Sequence, residues 1–238
     1  MFPMFIAATS QPGAGAWSII LSGGITGIAI LLLLAIISVI ALALVVEHLL
    51  TIRRTVLVPA GLAEQVRKKL ANNQLTEAKE KCLETPSALA VVVQNGLAET
   101  AGGWPAIEKS MEEALAEQSA GLLRKIDYLS VIGNIAPMIG LLGTVFGMIF
   151  AFQEVANTQG AARAAELASG IYQALVTTVG GLIVAIPSLA AFAVFRNRID
   201  ALIAETGQQA QHAMAPLKRQ FQAKLLQPPP LQPSSRTT

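Results

Sequence analysis

The stretch YLSVIGNIAPMIGLLGTVFGMIFAFQ, residues 128–153, runs for 26 positions without one Asp, Glu, Lys or Arg. A bilayer core of ~30 Å is crossed by about 20 helical residues at 1.5 Å each, so this stretch can span it with a little tilt. Two more charge-free windows lie on either side, Met1–Val46 (46 residues) and Leu167–Phe195 (29 residues). Gln11, Pro12 and the glycines that follow leave Ile19–Val46 as the one long apolar helix of the first window. Three spans are predicted.

The composition points the same way. Of 238 residues, 53% are hydrophobic and only 13% charged, against roughly 25% in soluble domains, and the mean hydropathy is +0.55. A soluble globule is excluded. Aromatics make up 5%, so the apolar surplus is Leu, Ile, Val and Ala, which suits helices in lipid and not an all-β architecture. A net charge of +2, with no basic stretch carrying interleaved aromatics, gives no nucleic-acid surface. Cys82 is the one cysteine, so neither an intrachain disulfide nor a structural zinc site is expected.

Lys and Arg near the span ends set the orientation. Arg53 and Arg54 follow the first span, Arg124 and Lys125 precede the second, and Arg196 and Arg198 follow the third, whereas residues 1–18 carry none and the 154–166 loop only Arg163. The N-terminus is therefore expected outside and the C-terminus inside. The layout that follows is an outer leader at 1–18, a first span at 19–46, a cytoplasmic helical domain at 47–127 and a second span at 128–153. An outer loop at 154–169, a third span at 170–195, a cytoplasmic helical stalk at 196–226 and a disordered Pro-rich tail at 227–238 complete it.

The 47–127 domain holds 21 of the 32 charged residues, ten basic and eleven acidic. In it Leu62, Val66 and Leu70 form an apolar stripe, Asn72 and Asn73 a turn, Thr76 an N-cap, and Thr85-Pro86 and Gly102-Gly103 breaks. From Pro105 onward Ile107, Met111, Ala114, Leu115, Leu122 and Ile126 recur at helical spacing towards the membrane. Gly121, Gly133 and Pro137 bend or loosen that helix without ending it.

Small residues recur at helical spacing in the second span, Gly140 with Thr144, and Gly143 with Gly147 and Ala151. The third span repeats the device with Ala174 and Thr178, then Thr177, Gly181 and Ala185, before Pro187 and Ser188. Such faces let helices approach closely, which is the reading of Gly140, Gly143, Gly147 and Gly181, with Pro137 and Pro187 as further packing positions. The threonines agree in depth: Thr144 lies ~5 Å outward of a centre near Gly140, and Thr178 ~5 Å outward of Gly181, at 1.5 Å per residue. Two readings stand. Each hydroxyl bonds its own i−4 carbonyl against a neighbouring helix, or an oligomer repeats the pair as a polar ring around a pore.

No span has an interior Asp, Glu, His, Lys or Arg, so a proton relay needs a titratable group from a partner. Gln173 and Tyr172, at the outer start of the third span, are polar without titrating near neutral pH. His48 beside Glu47 reads as interfacial, His212 as an exposed-helix residue and Cys82 as a reduced, half-buried thiol. There is no phosphate-cradling glycine loop and no serine–histidine–acid set, so no enzyme, cofactor or metal centre is expected.

Gly133–Gly147 (GNIAPMIGLLGTVFG) and Gly170–Ser188 (GIYQALVTTVGGLIVAIPS) resemble the MotA/TolQ/ExbB proton-channel family, the ExbB branch above all. The likeness covers the three-span layout with its large first cytoplasmic loop and is specific over residues 105–200. It implies an all-α inner-membrane protein whose three transmembrane helices carry long cytoplasmic helical extensions and assemble as a pentameric homo-oligomeric ring. The ring would surround the single-span helices of an ExbD- or TolR-like dimer. An intramembrane Asp of that partner would take up and release protons down the proton-motive force, and the work would pass to a TonB-like energy transducer for transport across the outer membrane. Thr144 and Thr178 take the positions of the family's pore-facing threonines, with Thr177 and Gln173 beside them on the proton path. Gln173 departs from the Glu that ExbB and TolQ commonly carry there, which removes a fixed charge and leaves proton or another ion open. The same chemistry would serve a TolQ-like unit in envelope constriction or a motor stator. A non-conducting membrane scaffold is the alternative of a different class.

Overall fold

The computed structural model describes residues 24–158 and 164–226. The leader, the first residues of the first span, Arg163 and the Pro-rich tail lie outside the described residues.

Every regular element among the described residues is helical. They are α1 (Gly24–Thr51), α2 (Arg54–Leu57), α3 (Leu62–Ala71), α4 (Leu75–Glu84), α5 (Ala88–Ala98), a 3-10 turn (Glu99–Gly102), α6 (Gly103–Asn157) and α7 (Ala164–Leu226). Three of them, α1, α6 and α7, are long and apolar enough to cross a membrane. Helix α1 continues past Val46 through Glu47 and His48 to Thr51, and α6 runs through Pro137 without a break. A proline there lacks the N–H that the Gly133 carbonyl would accept, a loss that neighbouring helices can absorb.

The chain divides into two compact units, one of residues up to Val46 with Asp127–Phe192, the other of Glu47–Ile126 with the residues from Ala193 on. In the first, Ile30 and Leu34 of α1 pack on Ala136 of α6 and on Val184 and Ala185 of α7, with Ile37, Ile132 and Ile139 against them. The outward side chains are also apolar: Leu32, Ile36, Val39, Met138, Leu141, Leu175 and Ile183 are all exposed. A soluble unit of this size would not leave so continuous an apolar surface uncovered, whereas lipid solvates it.

The second unit has an ordinary buried core. Leu62, Val66 and Leu70 of α3, Ala78 and Cys82 of α4, Leu89, Val92, Val93 and Leu97 of α5, Ile107 and Met111 of α6, and Ile199 and Met214 of α7 are buried. Breaks between the short helices follow local chemistry. Asn73 adopts φ 60, Ser87 caps α5 by accepting from the Ala90 N–H at 3.1 Å, and Gly103 opens α6 at φ 79, where a side chain would be strained. Helix α4 begins two residues earlier than a Thr76 cap requires. Gln74 is its N-cap residue and makes no side-chain cap hydrogen bond, while Glu77 in the first turn accepts from the Gln74 side-chain amide at 2.6 Å, pairs with Lys69 and sets a negative charge at the positive end of the helix.

Exposed ion pairs decorate this unit. Arg67 pairs with Glu64 at 2.8 Å and holds that carboxyl below the usual range, and Arg54 does the same for Glu205. Pairs of this kind stabilise little by themselves. Cys82 is fully buried rather than half-buried, and burial pushes its thiol up to about 11. Only the thiolate alkylates, so at pH 7.5 Cys82 of the folded chain should react with iodoacetamide at less than about a tenth of its rate in the denatured chain, as followed by mass spectrometry. Equal rates would show that the α4–α5 packing is open.

Candidate functional site

Within the first unit α6 and α7 run antiparallel along a seam of small residues. Gly133 faces Leu189, Gly140 faces Thr177, Thr178 and Gly181, Gly143 faces Thr177, and Gly147 faces Ala174 and Gly170. The partners' numbers fall as those of α6 rise, and Ala151 against Gly170 closes the series. A methyl added at Gly140 would come within 2.8 Å of the Thr177 carbonyl oxygen, and one at Gly181 within 2.5 Å of the Ala136 carbonyl oxygen. Both obstacles are backbone and cannot swing aside, so only glycine permits this approach.

Close backbone approach brings hydroxyls to a carbonyl. Thr177, 3% exposed, donates from Oγ1 to Ala174 O at 2.7 Å or across the seam to Gly140 O at 3.1 Å. Thr178, half-buried, donates across to the same Gly140 oxygen at 3.3 Å. Thr144, also half-buried, donates to Leu141 O at 2.7 Å in its own helix. Neither threonine makes the i−4 back-bond of the first of the two readings: Thr144 turns to i−3, and Thr178 bonds across the seam. Ser188 does make it, to Val184 O at 2.7 Å.

The seam has two flanks. Gly180 and Val184 face α1, since a methyl at Gly180 would meet Leu31 and Leu34 and Val184 shares their cluster. At 100° per residue Thr178 lies on the opposite flank of α7, and Thr144 on the flank of α6 opposite Ile132 and Ile139. Gly140 and Gly181 meet, so Thr144 and Thr178, four and three residues beyond them, fall within about one helical turn of each other along the seam. Gln173 is half-buried and spaced four and seven residues from Thr177 and Gly180, which puts it on the α1 side, ~140° round α7 from Thr178. Pro137 and Pro187 border the seam, half-buried and exposed respectively.

Spacing alone did not single out Gly133, Ala136 and Gly170 as seam residues, although Gly133, Gly140 and Gly147 recur every seven positions. His48, at the inner end of the first span, is also a packed residue: it is 3% exposed, its Nε2 lies 3.1 Å from Lys125 O and its ring meets Phe195 edge-on at 5.8 Å. Among the described residues no group of three or more His, Cys, Asp or Glu could hold a metal ion.

Residues 63–208 match the model of the MotA/TolQ/ExbB proton channel family. The chain belongs to that family. It is 34% identical over 97 residues to the Tol-Pal system protein TolQ of Pseudomonas aeruginosa, covering 41% of this chain and 42% of that one. It is 35% identical over 104 residues to the biopolymer transport protein ExbB of Salmonella typhimurium, covering 44% and 42%. The matched stretch thus spans less than half the length of these relatives. Among solved structures, that of C. jejuni MotAB shares the fold, with a TM-score of 0.51 over 90% of this chain and 86% of that one at 18% identity. Family membership and three apolar helices make this a multi-pass inner-membrane protein.

The seam of this MotA/TolQ/ExbB member yields a paired test. Gly181→Ala should lower the midpoint of thermal unfolding in mild detergent, by the equivalent of about 1–3 kcal/mol of overpacking. Gly121→Ala, where a methyl meets nothing within 4 Å, should leave it unchanged or raise it by about 0.5–1 kcal/mol. Circular dichroism melts that ranked the two the other way would remove the close approach.

Proposed function

We propose that this chain is an ExbB-like proton-channel and stator subunit of the inner membrane, with the N-terminus periplasmic and the C-terminus cytoplasmic. Copies form a pentameric ring around a single-span ExbD- or TolR-like partner whose intramembrane Asp carries the proton, and the work reaches a TonB-like transducer. Family membership supports the class of activity. The observation that carries the site is the common flank: Thr144 and Thr178 emerge together on the side of the seam turned away from α1, with Leu141 and Leu175 exposed beside them. In a ring that places α1 outside, this flank faces the centre.

The roles divide accordingly. Thr144 and Thr178 orient water and hydrogen-bond the partner's Asp, while Thr177, Gly140, Gly143, Gly147 and Gly181 hold the two helices in register. Gln173, off the face of Thr178, supports the pathway from the α1 side and supplies no charge. A TolQ-like assignment, with work spent on the envelope instead of on import, is favoured almost equally by identities of 34% to TolQ and 35% to ExbB.

The test is proton flux in liposomes driven by a pH gradient, with the protein co-purified with its single-span neighbour. Thr144→Val/Thr178→Val keeps side-chain shape and removes both hydroxyls. It should cut flux at least tenfold while the ring and its melting midpoint persist, and the partner's Asp→Asn should abolish flux. Undiminished flux in the valine variant would show that the pore lies elsewhere, and a stable ring that conducts under no gradient would favour the scaffold.

A further inference from the structure

Where α1 ends and α7 leaves its apolar stretch, the second unit holds a cleft of about 350 Å³ lined by Leu49, Ile52, Arg53, Arg54, Phe195 and Arg198. Three guanidinium groups meet there and one is neutralised. Arg54 donates from Nε to both carboxylate oxygens of Glu205, at 2.9 and 3.1 Å. Arg53 donates from Nε to the Leu49 carbonyl at 3.1 Å, which folds it back along α1 and leaves its two terminal amino groups without a partner among the described residues. Arg198 is exposed and makes no hydrogen bond or ion pair among them. Glu47 lies on another face of α1 and Asp200 nearly opposite Arg198 on α7, so neither carboxylate cancels this charge.

The cleft sits at a membrane boundary by helix register alone. The charge-free windows end at Val46 and Phe195, and Arg53 and Arg198 come within two turns of those ends. Leu49, exposed, lies one helical turn before Arg53, which bonds its carbonyl. An apolar side chain and guanidinium groups therefore follow one another in the order in which a phospholipid presents its chains and its phosphodiester. Two uncompensated cations favour a headgroup with net negative charge and repel the ammonium of a zwitterionic one.

We propose that this cleft binds an anionic glycerophospholipid, its phosphodiester on Arg53 and Arg198 and the start of an acyl chain against Leu49. The site needs neither a pore nor a partner chain. It would tie the ends of α1 and α7 to the charge of one leaflet.

Native mass spectrometry of the full chain in neutral detergent tests this, with dioleoyl phosphatidylglycerol titrated against dioleoyl phosphatidylcholine. Wild type should bind phosphatidylglycerol roughly tenfold more tightly. Arg53→Gln/Arg198→Gln should bring the preference within about twofold, and Arg53→Lys/Arg198→Lys should keep most of it. Arg198→Gln alone breaks no bond in the folded chain and should lower the preference about threefold, so the test survives a double variant that does not fold. Equal binding of both lipids by wild type, or an undiminished preference in Arg198→Gln, would overturn the proposal. So would displacement of the lipid by equimolar sn-glycerol 1-phosphate, which would make the cleft a site for soluble phosphate.

Discussion

Lipid tails are as apolar as leucine, so two helices in a bilayer gain little from burying apolar surface against each other. Contact between α6 and α7 has to come from close packing and hydrogen bonds, and the seam supplies both. At Gly140 and Gly181 the backbones approach until a methyl would strike a carbonyl oxygen. The rest of the first unit depends on that register. Helix α1 packs where Ala136, Val184 and Ala185 present a small-residue surface, and the depth of each threonine follows from which glycine it faces.

A hydroxyl in an apolar medium is costly unless it is bonded, and the seam bonds all of its threonines without fully committing them. A regular helix already assigns the Gly140 carbonyl to the N–H four residues on. Thr177 and Thr178 both reach the same oxygen, and Thr177 has Ala174 O as an alternative for its single proton. Three donors thus compete for two lone pairs. Thr178, the half-buried one, can turn its hydroxyl away while Gly140 O keeps its other donors. Among the described residues no buried side-chain nitrogen or oxygen lacks a partner, and one hydroxyl of the seam can still exchange partners.

The spans were legible because charge is excluded from lipid, so three gaps in the distribution of Asp, Glu, Lys and Arg mark them whatever the rest of the chain does. The all-helical class and the family followed from the same stretches. Leu62, Val66 and Leu70 were readable as a buried stripe from spacing alone. What spacing could not convey was contact between distant positions. His48 is buried because Lys125 and Phe195 cover it, which its own neighbourhood, Glu47 and the end of an apolar run, does not convey. The start of α4 is not marked by a capping side chain either, and Glu77 of its first turn pairs with Lys69 of the preceding helix. On the seam, glycine spacing pointed to close approach but not to the carbonyl that accepts from Thr177 and Thr178, since that depends on the register between two helices, which neither helix carries in its own spacing.

The chemistry of the spans also bounds what this chain can do alone. Serine and threonine hydroxyls and a glutamine amide orient water and accept or donate hydrogen bonds, but none of them gains or loses a proton between pH 5 and 9. The charge-free windows that make the helices stable in lipid are the reason. A carboxylate in the seam would have to be paired or neutral, and either state would spoil the close approach that holds α6 to α7. Separating the two tasks resolves the conflict. One chain can provide a rigid polar surface at fixed depth, while a titratable group enters from a different chain that does not have to pack so tightly. Membership of a proton channel family, in a chain whose own spans cannot titrate, is consistent with that division.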